Sequence, residues 1–188
     1  FDRSIERKLL ICSCDKGNPQ RSWCEKQPEA LAAVCQDLGI QEYQMLSSHT
    51  EFSRLPSRGK TDGPLLKDWW KSATEHLLKL AEGCDFIATH NPWGEYGHLD
   101  HLLVRRMVLE SGLEIPVKWT TAYYKTTTWP LGNKESVFSP DIEKLAVMTE
   151  RTTELDVPQY ERLKACYVSR GCYTWDNPVP SPVLVWGQ

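Results

Sequence analysis

Short apolar runs alternate along this chain with amphipathic stretches of helical length, and that alternation limits the fold more than any other feature. Lys8-Leu9-Leu10-Ile11-Cys12-Ser13 reads as a short buried strand, ending in a turn at Asp15-Lys16-Gly17-Asn18-Pro19. Ser22-x-x-Glu25 has capping-box form, but Pro28 predicts that the regular helix starts there, with proline at its first position. Ala30, Leu31, Ala33, Val34 and Leu38 give this helix an apolar stripe, and Gly39 stops it. Glu42 to Leu46 reads as a second strand, and residues 47–63 as a polar loop. Pro64 opens a second helix, Leu65 to Ala81, with Leu66, Trp69, Trp70, Ala73, Leu77 and Leu80 on its buried face.

Gly83 ends that helix, and Cys84 to Thr89 reads as another buried strand. A loop from His90 to Gly97 leads to a helix near Leu99–Ser111, closed by Gly112. Val117 to Tyr124 alternates as a half-exposed strand does, and Thr126 to Ser136 reads as irregular or as a hairpin. Pro140 is expected to begin a helix running to about Thr152, and Pro158 another running to about Ser169. The tail from Pro178 to Pro182 is expected to be extended. The pattern predicts an α/β fold, Rossmann-like, with a mainly parallel sheet flanked by helices, in a single domain over residues 1–188.

Composition removes several classes of function. The formal net charge of −3 argues against a protein that neutralises nucleic-acid phosphates. No apolar run approaches the roughly 18 residues that a membrane-spanning helix needs. The 7 cysteines are irregularly spaced with no CxxC, which disfavours a zinc ribbon or a disulfide scaffold and predicts reduced thiols in a cytoplasmic protein. Cys12 and Cys14 share a strand face, but no partnering base is in evidence, so core packing is the simpler reading. His76, in a helix rich in Trp and Leu, reads as structural or exposed. Neither a phosphate-cradling glycine loop nor a GxSxG elbow occurs.

In open parallel sheets, sites gather beyond the carboxyl ends of the strands. Of the three such places here, the loop after Thr89 is chemically the richest. Thr89-His90-Asn91-Pro92-Trp93-Gly94-Glu95-Tyr96-Gly97-His98-Leu99-Asp100-His101 carries three of the chain's 5 histidines. His98 and His101 are three apart at a helix start and can share one face. Neutral imidazole is a common metal ligand, an adjacent carboxylate can orient it, and a helix N-terminus favours negative charge. One histidine could bind a metal while the other, protonated, stabilises an oxyanion or protonates a leaving group. For any one of these histidines alone, a solvated or capping role is the simpler reading. Asp15 and His90, both at predicted carboxyl ends of strands, form a weaker alternative ligand set with His98 and His101.

The string Gly94-Glu95-Tyr96-Gly97-His98-Leu99-Asp100-His101 resembles the second motif of the LmbE/PIG-L superfamily, metal-dependent (usually zinc) de-N-acetylases of N-acetylglucosaminyl compounds. The similarity extends to Asp15-x-Gly17, Arg21, Glu25, Leu38-Gly39-Ile40, Asp62-Gly63-x-Leu65 and Leu163-Lys164-x-x-x-Tyr167-x-Ser169. The resemblance implies that His101 is a metal ligand and that His98 faces the substrate carbonyl and stabilises the tetrahedral oxyanion. It implies that Asp100 tunes a histidine and that Tyr96 contacts the reacting carbonyl. Arg21 and Asp62 would hold sugar hydroxyls or phosphate. The implied cofactor is zinc, and the implied partner is an amino-sugar small molecule or glycoconjugate.

Two departures from the family pattern stand out. Leu99 occupies a position where the family usually has Pro. The family's first motif, His-Pro-Asp-Asp-Glu or similar, does not occur, and only seven residues precede Lys8. The expectation is that this chain lacks the family's N-terminal strand and helix, and that alone it is not a competent deacetylase. A homo-oligomer or a completing chain is then expected. The rival readings are a non-catalytic carbohydrate-binding protein that keeps the pocket without a complete metal site, and an assembly subunit.

Overall fold

An apolar strand can pair in parallel with another only if the chain returns across the sheet, usually through a helix. The computed structural model shows this arrangement twice. It describes residues 6–13, 25–40, 42–47, 64–92, 99–121, 149–154, 156–173 and 183–187. The chain divides into two compact units, Phe1–Glu82 with Asp156–Asn177, and Gly83–Leu155 with Pro178–Gln188.

In the first unit, β1 (Lys8–Ser13) and β2 (Glu42–Ser47) pair in parallel, Leu9 opposite Tyr43 and Ile11 opposite Met45. Helix α1 (Gln27–Leu38) joins them, with Pro28 at its first turn as the sequence suggested. Lys26 precedes it without a side-chain cap. Gly39 ends the helix in the left-handed region, φ 68°, where a Cβ is costly. Ala30, Leu31, Val34 and Cys35 are buried, whereas Ala33 and Leu38 are half-buried. Leu31, Cys35 and Ile40 form a cluster against which Leu9, Ile11, Leu38 and Met45 pack. By the period-2 alternation, Leu10 and Cys12 point to the opposite face of the strand.

Helix α2 (Pro64–Ala81) packs against β1 and buries Trp69, Ala73, Leu77, Leu80 and Ala81, while Trp70 is half-buried. His76 is spent inside this helix: its Nδ1–H donates to the Ser72 carbonyl at 2.6 Å. Helix α4 (Val157–Val168) packs on α1, and Arg162 pairs with Asp37 at 3.6 Å. Asp156 caps α4 by accepting from the Gln159 amide at 2.9 Å.

The second unit holds β3 (Ile87–Thr89), α3 (Leu99–Glu110), β4 (Val117–Thr121), β5 (Thr149–Glu154) and β6 (Val183–Gly187). Its sheet order is β3-β4-β6-β5, with β3 and β4 parallel and β6 antiparallel to both β4 and β5. Trp119, on β4, is completely buried, as are Leu103, Met107 and Val108 of α3 to within a few per cent.

The fold is therefore mixed α/β, with two parallel strand pairs and two antiparallel ones among the described residues. Three expectations need correction. The buried strand predicted over Cys84 to Thr89 contracts to Ile87–Thr89, with Phe86 and Ala88 exposed. The helix predicted from Pro140 to about Thr152 does not include Thr149–Glu154, which is strand β5. Its threonines favour extended backbone, and β6 supplies the hydrogen-bonding partner. β6 itself follows the proline-rich stretch and was not anticipated. The turn at residues 15–19, the loop beyond residue 47, the segment 126–136 and the tail 178–182 lie outside the described residues.

Two expected outcomes follow. Leu31→Ala should lower stability by about 2–5 kcal/mol in denaturant unfolding, because Leu31 is buried in a packed cluster and its truncation leaves a cavity. Burial, then the hydrogen bond to Tyr173, pushes the Tyr160 phenol up to about 12 from its usual 10.0. The folded value exceeds the unfolded one. Its stabilisation is thus complete below about pH 10 and is lost as pH rises through about 12. Tyr160→Phe should flatten the loss of stability over that window, and an unchanged slope would remove Tyr160 as its source.

Candidate functional site

His90 and Asn91 leave the carboxyl end of β3 in the second unit. Parallel pairing of Ile87 to Thr89 with Val117 to Trp119 is opened by the Ile87 amide donating to the Pro116 carbonyl at 2.9 Å. His90 follows the strand at once and is half-buried, and Asn91 after it is completely buried. The loop therefore begins inside the unit rather than on its surface.

Helix α3 starts at Leu99, so Asp100 and His101 fall in its first turn. That end of a helix carries unsatisfied amides and a positive field. The His101 ring lies flat on the His90 ring, with centroids 4.1 Å apart and planes 6° from parallel. One helical turn further, the Arg105 Nη1–H donates to the His90 carbonyl at 3.0 Å. Burial lowers the Arg105 pKa from its usual range. The guanidinium nonetheless stays charged at neutral pH.

The site thus gathers two imidazoles, a half-buried guanidinium and a helix N-terminus. Such a set suits the stabilisation of negative charge and the donation of imidazole nitrogens to a metal. The stack limits the second role. An imidazole lone pair lies in its ring plane, and two nearly parallel planes do not converge on a single ion. His101 can act as one ligand, with His90 as the surface that holds its ring. Among the described residues, no group of three or more His, Cys, Asp or Glu is placed to hold a metal.

Of the residues singled out in the sequence, the structure brings His101 and His90 together. Asp100 has its backbone in the first turn of α3, and its side chain lies outside the described part. Tyr96, His98, Arg21, Asp62 and Asp15 are also outside the described residues. Sequence reasoning missed Arg105, although its spacing from His101 is the i, i+4 spacing of one helix face. Burial pushes the Cys35 and Cys172 thiols up, away from the lowered pKa that an activated thiol needs.

Comparison with known proteins finds no family whose pattern matches the chain, and no curated protein similar to it.

The stack is open to measurement. A double-mutant cycle with His90→Ala and His101→Ala, read by denaturant unfolding in metal-free buffer, should give a coupling of about 0.5–1.5 kcal/mol. Additivity within about 0.3 kcal/mol would mean that the two rings do not stack in solution.

Proposed function

We propose that this chain belongs to a zinc-dependent amidohydrolase of the LmbE/PIG-L type, which removes an N-acetyl group from an N-acetylglucosamine-type substrate once the family's first motif completes the site. One observation carries the reading: the histidine that the resemblance makes a metal ligand lies in the first turn of α3, its ring held against His90. The reading implies a Rossmann-like sheet and a cytoplasmic location, in keeping with the irregularly spaced thiols. Cys35, Cys166 and Cys172 are free thiols. Among the described residues, no helix is long and apolar enough to cross a membrane.

The donor chemistry fits the metal, since neutral imidazole is among zinc's preferred ligands. His101 would hold the ion through a ring nitrogen, together with the ligands that the family's first motif supplies. Bound zinc would polarise the acetamide carbonyl and acidify a water molecule. His98, three residues earlier, would donate a hydrogen bond to the oxyanion as the carbonyl carbon becomes tetrahedral. Asp100 would fix a histidine's tautomer and orientation. Tyr96 would contact the reacting carbonyl, while Arg21 and Asp62 would hold sugar hydroxyls or phosphate. Water adds to the carbonyl carbon, the C–N bond breaks, and the amine leaves with a proton, giving acetate and a free amino sugar.

Two variants test the division of labour. In a protein that also carries the family's first motif, His101→Ala should lose zinc and deacetylation together, whereas His98→Ala should lose deacetylation and keep zinc. Metal analysis and acetate release from an N-acetylglucosamine derivative read both. Equal loss of zinc in the two variants would refute the assignment. Sugar binding that survives chelation, with no acetate released, would establish the non-catalytic carbohydrate-binding reading in its place.

A further inference from the structure

The half-buried guanidinium of Arg105 is unexplained by the roles given so far. Among the described residues no carboxylate pairs with it, and its hydrogen-bond partner is a neutral backbone carbonyl, that of His90. Withdrawing a cation from water is costly, and a single carbonyl repays it only in part. A water molecule or a neutral donor would satisfy the same carbonyl at less cost. What the long, rigid-headed arginine adds is reach. It connects α3 to the loop after β3, one helical turn beyond His101.

That connection bears directly on the stacked rings. The His90 backbone is held at its carbonyl by Arg105, and the His90 ring lies on the His101 ring. His101 and Arg105 belong to the same helix, four residues apart. A closed path therefore runs from Arg105 to the His90 carbonyl, through the His90 ring to the His101 ring, and back along the helix. Each contact limits the rotation left to the other.

We infer that Arg105 is a positioning residue: its hydrogen bond to the His90 carbonyl holds the His90 ring against His101 and so fixes the orientation of the His101 imidazole. The functional part of this inference rests on the proposed role of His101 as a zinc ligand. The geometric part does not.

The test compares Arg105→Met, which keeps length and loses the donor, with Arg105→Lys, which restores a cationic donor. Both are made in the full 188-residue chain. NMR of the histidine ring protons reads the stack through its upfield ring-current shift, and the backbone amide spectrum reports whether the fold is kept. In Arg105→Met the ring protons should move back downfield with the amide spectrum otherwise preserved, and Arg105→Lys should recover a substantial part of the shift. Unchanged ring shifts in Arg105→Met would overturn the inference. No recovery with lysine would assign the effect to lost packing and overturn it equally. Should the methionine variant not fold, Arg105→Gln takes its place. Glutamine is too short to span to the carbonyl, so the same loss of shift is expected and its absence is equally decisive.

Zinc affinity, measured by competition with a chromophoric chelator in a protein that also carries the family's first motif, is the second readout. It should fall about 10–100-fold in Arg105→Met and recover with lysine, as for other groups that orient a ligand histidine. If the ring shifts respond as expected but the unaltered protein carrying the first motif takes up no zinc, the zinc reading fails and the positioning role of Arg105 stands.

Discussion

Parallel pairing of two strands close in sequence requires a crossover, and most of this structure is the consequence of meeting that requirement twice. β1, α1 and β2 form one such unit; β3, α3 and β4 form the other. In each, the helix must begin near the level where its preceding strand ends. The connection between them is thereby forced to the carboxyl edge of the strand. In the second unit that connection begins with His90 and ends at the first turn of α3, where His101 lies. Two residues eleven positions apart become neighbours because the crossover brings the helix back over the strand.

The same geometry decides how each helix is buried. α1 commits Leu31 and Cys35 to the β1–β2 ribbon, and Ile40, just past the Gly39 cap, extends the cluster. Without a residue able to adopt positive φ at position 39, the chain could not turn sharply enough to enter β2 in this register. α3 commits Leu103, Met107 and Val108, which leaves Arg106 and Glu110 to pair in solvent at 2.7 Å. That exposed i, i+4 pair adds little to stability. Arg105 belongs to neither class. It is a charged side chain drawn partly inward, and among the described residues its hydrogen-bond partner is the His90 carbonyl.

Elements set by local signals were legible in the sequence. Pro28 with Gly39, Pro64 with Gly83, and Pro158 marked three helices to within a residue or two, because proline and glycine act through backbone geometry that no distant partner alters. The same marker misled at Pro140. Its helical expectation extended into Thr149–Glu154, whose pairing with Val183–Gly187 spans a separation that no local pattern encodes. The apolar run at Cys84 to Thr89 overstated a strand for a related reason: only Ile87 to Thr89 find partners on β4. At the site, the sequence flagged His101 and His90, but assigned them as co-ligands in one alternative. Their parallel stacking depends on where the crossover sets the start of α3 against the end of β3, which residue types do not specify. Arg105 was readable from its spacing, but nothing in the sequence indicated that its partner would be a backbone carbonyl.

The stacked pair also bears on the choice between a catalytic and a purely binding role. A sugar-binding surface draws its affinity from apolar faces and from hydrogen-bonding groups that tolerate small rotations. Ligation of a reacting metal is less forgiving, because the ligand nitrogen must keep its direction within about 10–20°. Holding an imidazole that closely requires contacts on the ring itself and on whatever supports the ring. Here His90 supplies the first and Arg105 the second, with part of a guanidinium's hydration surrendered to make the support. An arrangement that accepts such a cost to fix one ring suits a task in which the direction of that ring matters. The proposed ligation of a metal by His101 would be such a task.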